Sequence, residues 1–168
     1  RPRLIAPPRA AEVFRRVVGA WGSDDLIENA FELEEYAVDS APAVGPLRFS
    51  FCKVPHFQET FAIRVESSNG GGRFVFGADS RPTEELTQFA SGADLLLIEA
   101  TLPRPERDGE RGHLTPREAG EHGRDSKVGR VVLTHISDEL DHLWARKEAA
   151  AVFDGPVDVA YEGAVYSL

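Results

Sequence analysis

Three short apolar runs constrain the fold of this 168-residue chain more than any other feature. They are RFVFGAD, DLLLIEA and RVVLTH, and helix-like segments separate them. Continuous apolar runs of this kind are expected for strands that are covered on both faces. A Ser-Asn-Gly-Gly-Gly turn joins the first run to the preceding apolar segment TFAIRVE, which predicts a β-hairpin. A hairpin followed by alternating helices and strands predicts a layered α/β domain with a mixed sheet.

The remaining segments extend this pattern in both directions. Residues 10–20 have helical apolar spacing, and LRFSFCKVPH alternates like a strand that ends at His56. SDDLIENAFELEEY could be helix or strand. Further helices are predicted after Thr83, after Thr115 with Pro116 and Glu118 in capping positions, and over LWARKEAAAVF. PVDVAYEGAVYSL predicts a closing pair of strands, and we place no domain boundary within residues 1–168.

Four predicted strands end on a residue that can bind a metal or carry a proton. The strands deliver His56, Asp79, Glu99 and His135. Ligands of α/β proteins gather at the carboxyl ends of strands. Two imidazoles and a carboxylate converging there are suited to zinc, manganese or iron. A histidine or aspartate that only satisfies a turn is the alternative at each position taken alone.

Charge and composition narrow the function. The net charge of −9 and the pI near 5.0 argue against a general polyanion-binding surface. Cys52 is the only cysteine, so the chain has no internal disulfide and no cysteine-rich zinc site. No apolar run is long enough to span a bilayer. We therefore expect a cytoplasmic enzyme or binding domain with no membrane association.

At the level of motifs, the chain resembles the second half of a metallo-β-lactamase-fold hydrolase. The motifs VPHFQETFAIRVE, FVFGADS, LLLIEAT, RGHLTPREAG and VVLTHIS occur in the family order. They are most similar to those of the phosphodiesterase branch around ribonuclease Z and actinobacterial cyclic-nucleotide phosphodiesterases. The resemblance implies an αββα sandwich, of which residues 1–168 supply mainly the second half, as the C-terminal portion of a single domain.

The resemblance also assigns roles to five residues. His56, Asp79 and His135 correspond to metal ligands, with Asp79 bridging two divalent ions, and zinc is favoured over manganese or iron. Glu99 in EAT and His113 in GHLT correspond to the carboxylate–histidine pair of the phosphodiesterase branch, in which the histidine protonates the leaving group. Hydrolysis through a metal-bound hydroxide follows from the resemblance.

Two departures from the family pattern stand out. Ala78-Asp79-Ser80 replaces the usual Gly-Asp-Thr, and the first-half signature HxHxDH is absent. That signature normally supplies most ligands of the first metal. The chain has no Met and opens on RPRLIAPPRA, so we expect that a preceding segment carries the signature.

The predicted function is a metal-dependent phosphodiesterase for small phosphodiesters such as cyclic nucleotides. The alternatives are RNA 3′-end processing, lactone or thioester hydrolysis, and a non-catalytic metal-binding domain that lacks the first-half ligands. Nucleic acid is a less favoured substrate because of the acidic charge balance, and a homodimer is a possible assembly.

Other polar residues give weaker signals. His122 is predicted to be a solvated residue on a helix surface, and His142 a polar residue at a helix start that could alternatively face the cleft. Arg104, Arg107 and Arg111 lie between Glu99 and His113, where they are either a solvated loop or a phosphate clamp.

Overall fold

The computed structural model describes residues 1–106 and 109–168, which divide into two compact units. The first unit spans Arg1–Pro42 and the second Ala43–Leu168. The prediction that both belong to one domain stays a prediction.

The first unit is a small α/β arrangement. Strand β1 (Arg3–Ala6) and strand β2 (Glu32–Glu35) pair in parallel, and helices α1 (Ala10–Gly19) and α2 (Leu26–Ala30) connect them. The ambiguous acidic segment therefore contains both a short helix and a strand. The predicted helix over residues 10–20 is confirmed, and it ends one residue earlier.

The second unit is built on a seven-stranded mixed sheet with strand order β3-β4-β5-β6-β7-β8-β9. The pairs from β3 to β6 are antiparallel and those from β6 to β9 are parallel. The strand bounds are β3 (Ala43–Val44), β4 (Leu47–Val54), β5 (Thr60–Ser67), β6 (Arg73–Phe76), β7 (Leu95–Glu99), β8 (Val131–Thr134) and β9 (Val157–Val159). The predicted hairpin and the three apolar strands are confirmed.

Three helices cover one face of this sheet. They are α3 (Glu84–Phe89), α4 (Pro116–Ser126) and α5 (His142–Ala150). Leu96, Ile98 and Leu133 of the strands are fully buried in one core cluster together with Leu86 and Ala145 of the helices. Within the described residues, no helix is both long and apolar enough to cross a membrane.

Close contacts fix the central helix α4. Thr115 and Glu118 form a capping box, with Pro116 in the first turn, as the sequence predicts. A Cβ atom at Gly120 would collide with the Ala149 carbonyl oxygen of α5, and one at Gly123 would collide with the Val131 side chain of β8. The two glycines therefore allow α4 to approach both neighbours closely.

The predicted closing strand pair is only half formed. Strand β9 pairs with β8, but the described residues 160–168 add no second strand. Ala160 still donates its N–H to the Leu133 carbonyl, at 2.8 Å, and Gly163 then turns the chain with a φ of +81°. The turn is thus present, but no strand of the described chain pairs with the segment that follows it.

Candidate metal and phosphodiester site

One edge of the seven-stranded sheet collects the predicted site residues. His56 follows β4, Asp79 follows β6, Glu99 ends β7 and His135 follows β8. Strand β4 is antiparallel to β5, and β5 is antiparallel to β6, so β4 and β6 point the same way. Because β7 and β8 continue in parallel with β6, all four residues lie at the same edge. The expectation that these strand ends converge is confirmed.

Asp79, His113 and His135 form the tightest group of donor atoms. One carboxylate oxygen and one nitrogen from each ring all lie within 4.8 Å of one another. His135 Nε2 is 3.5 Å from Asp79 Oδ2, and both side chains are partly exposed, at 52% and 37%. Mixed imidazole and carboxylate donors at this spacing fit a divalent ion such as zinc. His113, which the sequence assigns to proton transfer, is therefore also placed where a ligand could lie.

His56 lies beside this group and is oriented by the backbone. Its ring centroid is 4.9 Å from that of His113. Its Nδ1 lies 2.9 Å from the carbonyl oxygen of Gly112. Since a carbonyl oxygen only accepts, Nδ1 must carry a proton, and in the neutral ring the lone pair is then on Nε2. A backbone carbonyl that fixes the other ring nitrogen is the usual arrangement of a metal-binding histidine.

The Glu99 carboxylate connects the segments around the site. It is only 1% exposed. Its Oε1 accepts hydrogen bonds from Ser80 N and His113 Nδ1, both at 2.9 Å. Its Oε2 accepts from Thr101 Oγ1 at 2.7 Å and from Leu114 N at 3.1 Å. The expected hydrogen bond between Glu99 and His113 is therefore present, and the same carboxylate holds the chain on both sides of it.

Backbone strain is concentrated at the same strand ends. Ala78 has a φ of +54° and His135 a φ of +49°, both in the left-handed region. This region disfavours residues with a Cβ, and such strain is often found at functional sites. The family's usual glycine at position 78 avoids this strain, so the departure noted in the sequence has a structural cost. Ala78 as a whole is 7% exposed and belongs to the core cluster.

Arg111 holds the loop of His113 and is not a free phosphate clamp. Its Nε donates to the His113 carbonyl oxygen at 2.9 Å, and its Nη1 donates to Glu118 Oε1 at 2.9 Å. Burial alone would raise the pKa of Glu118, but hydrogen bonds from Arg111 and Thr115 outweigh it and lower the pKa. Arg104 is exposed, and Arg107 lies outside the described residues.

The prediction for His122 is wrong. Its side chain is buried, with 6% of the residue exposed, and Nδ1 lies 2.7 Å from Thr87 Oγ1 of α3. The polar sequence of α4 suggested a solvated face, but α3 packs against this part of the helix and its Thr87 meets the His122 ring. Burial lowers the pKa of His122, against the attraction of Glu118 and Asp125. His142 is the exposed first residue of α5, which agrees with the prediction of a helix start.

The sequence analysis assigned no role to three residues that contribute to the site. Thr101 Oγ1 lies 2.8 Å from the His135 carbonyl oxygen as well as 2.7 Å from Glu99. Gly112 supplies the carbonyl that orients His56. The Phe57 ring adjoins both His56 and His113, with centroid distances of 5.0 and 5.9 Å. Their positions in the sequence, within two residues of His56, Glu99 or His113, are the signal that could have suggested them in advance.

Comparison with known proteins identifies the family. Residues 1–136 match the Beta-lactamase superfamily domain. The chain therefore belongs to this superfamily, and its mixed sheet with covering helices is a metallo-β-lactamase fold. This agrees with the resemblance found in the motifs, and the fold suggests that the protein binds divalent metal.

Similar proteins include hydrolases of several kinds. The chain is 31% identical over 131 residues to the probable metallo-hydrolase YhfI of Bacillus subtilis, covering 78% of this chain and 53% of the relative. The crystal structure of YhfI matches with a TM-score of 0.84 at 25% identity, over 98% of this chain and 64% of that one. Ribonuclease Z of Myxococcus xanthus is 37% identical over 102 residues, covering 58% of this chain and 33% of that enzyme.

A more distant structure shows the same fold. A diphosphatase of the PhnP family aligns with a TM-score of 0.69 at 19% identity, over 96% of this chain and 56% of that one. The chain spans about half the length, or less, of the curated relatives named above, at 53% and 33%.

Proposed function

We propose that this chain is part of a metal-dependent phosphodiesterase that hydrolyses small phosphodiesters such as cyclic nucleotides. The observation that carries the proposal is the 2.9 Å hydrogen bond between His113 Nδ1 and the buried Glu99 carboxylate, beside a group of metal-binding side chains. In this arrangement a proton donor lies next to the position where a metal ion would hold a phosphoryl group.

The donor set is compatible with divalent metal. His56, Asp79 and His135 would hold it, and zinc is the favoured metal over manganese or iron. When bound, such ions would polarise the phosphoryl oxygens and neutralise developing charge. The bond from His56 Nδ1 to Gly112 and the partly exposed Asp79 and His135 side chains leave donor atoms available on the open side.

The residues of this chain would direct the proton in the reaction. A water oxygen forms a bond to phosphorus while the phosphorus–oxygen bond of the leaving alkoxide breaks. His113, protonated on both nitrogens, donates its Nε2 proton to the leaving oxygen, and the proton released by the water restores it. The Glu99 carboxylate accepts the hydrogen bond from Nδ1, which orients the ring so that Nε2 is the nitrogen that donates. Arg111 holds the backbone of the same loop through the His113 carbonyl.

Charge favours small substrates over long RNA. The net charge of −9 opposes a polyanion that must contact an extended surface. The similarity to ribonuclease Z supports RNA 3′-end processing as the second candidate. We propose that the protein acts in the cytoplasm, and a homodimer stays a prediction.

Substrate comparison with the whole protein tests the proposal. The zinc-loaded protein is assayed with cyclic AMP, bis(p-nitrophenyl) phosphate, a precursor transfer RNA, an acyl lactone and a thioester. We expect hydrolysis of both small phosphodiesters, loss of activity on chelation and recovery with zinc or manganese. Cleavage of the RNA alone would support the second candidate. Hydrolysis of the lactone or thioester alone, or no hydrolysis at all, would contradict the assignment of Glu99 and His113.

A further inference from the structure

Phe57 is an exposed aromatic side chain at the border of the site. It is 49% exposed, although it directly follows His56. Its ring contacts the His56 ring at a tilt of 52° and the edge of the His113 ring at 65°. An isolated exposed apolar side chain is common on protein surfaces. This one differs because it adjoins both a candidate metal ligand and the candidate proton donor.

The position of the Phe57 ring is built into the loop opposite. Gly112 is buried, and a Cβ atom there would overlap the edge of the Phe57 ring. The carbonyl of the same glycine accepts the hydrogen bond from His56 Nδ1. Residues 56 and 57 therefore both rest against Gly112, one through its ring nitrogen and the other through its ring edge. This support fixes the Phe57 ring relative to the metal-binding groups.

We propose that Phe57 is a specificity residue that stacks against a flat aromatic group of the substrate, namely the base of a nucleotide. This inference rests on the phosphodiesterase function proposed above and names the part of the substrate that lies beside the phosphate. A phosphoryl group bound at a metal ion that Asp79 and His135 would hold places the rest of the molecule among the rings that border them. A nucleobase covers an exposed phenyl ring without requiring any hydrogen bond from it.

The energetics of stacking give the expected size of the effect. A base stacked on an aromatic side chain typically changes affinity by about fivefold to about a hundredfold. Because every base has a flat face, such a contact favours nucleotides over sugar phosphates and discriminates little between bases. Leucine at this position would retain apolar area but not the flat ring, whereas tyrosine would retain the ring.

Binding of two product-like ligands tests this role without relying on turnover. Isothermal titration calorimetry with the zinc-loaded whole protein compares 5′-AMP with ribose 5-phosphate, which lacks the base. We expect the natural protein to bind 5′-AMP about tenfold or more tightly than ribose 5-phosphate. The Phe57→Leu variant should lose most of this preference and the Phe57→Tyr variant should keep it. Zinc content, measured in the same samples, should not change.

Tyr161 provides a matched control. It is 74% exposed and lines a separate cavity with Arg130 and Asp158, so Tyr161→Leu should leave the preference unchanged. Equal affinities for the two ligands in the natural protein, or an unchanged preference in Phe57→Leu, would overturn the inference. If the protein hydrolyses phosphodiesters but gives one of these two binding results, only the role of Phe57 is overturned. If the protein does not hydrolyse phosphodiesters, the proposed function is overturned.

Discussion

Two buried polar clusters in this chain have opposite characters. The first is centred on Glu99, whose carboxylate accepts five hydrogen bonds from four residues, Ser80, Thr101, His113 and Leu114, at the open edge of the sheet. The second is the contact between His122 and Thr87, enclosed between α4 and α3. One cluster joins several loops around exposed donor atoms, and the other joins two helices.

The difference between the two clusters distinguishes a candidate functional site from a contact that only supports the fold. The Glu99 cluster borders Ala78 and His135, whose left-handed backbones store strain where donor atoms must be positioned. The regular backbone of α4 carries His122, and its ring contacts Thr87 of the neighbouring helix α3. A buried histidine is therefore informative about function only together with the strand ends and the backbone around it.

The largest expected effect is a loss of catalysis when a side chain of the Glu99 cluster is removed. In the zinc-loaded whole protein, His113→Ala should lower phosphodiester turnover by about 10²–10⁴-fold, the usual contribution of a general acid. Zinc content by mass spectrometry should remain nearly unchanged. Loss of zinc together with activity would show that His113 is a ligand, as its distance to Asp79 and His135 also allows.

The next effect is on stability. Glu99→Gln keeps the shape of the side chain, but its amide nitrogen cannot accept the hydrogen bonds that reach the oxygen it replaces, two at Oε1 or three at Oε2. We expect a loss of about 3 kcal/mol in the free energy of unfolding, measured with urea. Glu121→Gln is the matched control, because its pairing with Arg117 is a surface contact at 3.5 Å and should contribute less than about 0.5 kcal/mol. Equal losses in the two variants would contradict the special status of Glu99.

The contact between His122 and Thr87 should make the free energy of unfolding depend on pH. Since burial lowers the pKa of His122 in the folded state, the unfolded chain takes up the proton first as the pH falls below about 6.5. The neutral His122 ring therefore makes its full contribution to the free energy of unfolding above about pH 6.5. This contribution decreases as the pH falls from that value to the lower folded-state pKa. Its slope is at most about 1.4 kcal/mol per pH unit. Glu118 and Asp125, which favour the charged ring, moderate the loss.

Comparison with His122→Gln isolates this contribution. The variant should lose the part of the pH dependence that His122 causes, so the difference in unfolding free energy between the two proteins should shrink as the pH falls from neutral to acid. A difference that stays constant over this interval would show that His122 has the same pKa in the folded and unfolded chain.

The smallest effect concerns strain. Lys127, which caps the end of α4, has a φ of +55°, close to the +54° of Ala78. Lys127→Gly should stabilise the protein by about 1 kcal/mol. Ala78→Gly should gain less, about 0.5 kcal/mol, because it also removes a buried methyl group. Thermal unfolding of the two variants measures both changes in stability. A larger gain at position 78 than at position 127 would contradict the packing of the Ala78 methyl group in the core.

Local sequence patterns predicted most of the second unit. The apolar strands, the hairpin and the capping box of α4 each follow from residues close in the sequence. His56, Asp79, Glu99 and His135 were found because parallel strands bring their ends to one edge of the sheet. The link between Glu99 and His113 was found through family motifs.

The errors have long-range causes. His122 appeared exposed because its cover comes from Thr87 of α3, 35 residues away in the sequence. The second closing strand was not formed because pairing requires a neighbouring strand, which local alternation does not provide. Thr101 and Gly112 contribute through contacts whose partners are set by the fold.

Crystallography at the zinc absorption edge tests the central claim most directly. Crystals of the zinc-loaded whole protein should show anomalous density about 2.0–2.2 Å from side-chain atoms of His56, Asp79 and His135, with His113 still hydrogen-bonded to Glu99. Zinc bound only elsewhere, for example among Glu118, His122 and Asp125, would contradict the assignment of the metal site. Absence of zinc at the Asp79–His135 edge in a fully loaded protein would contradict it equally.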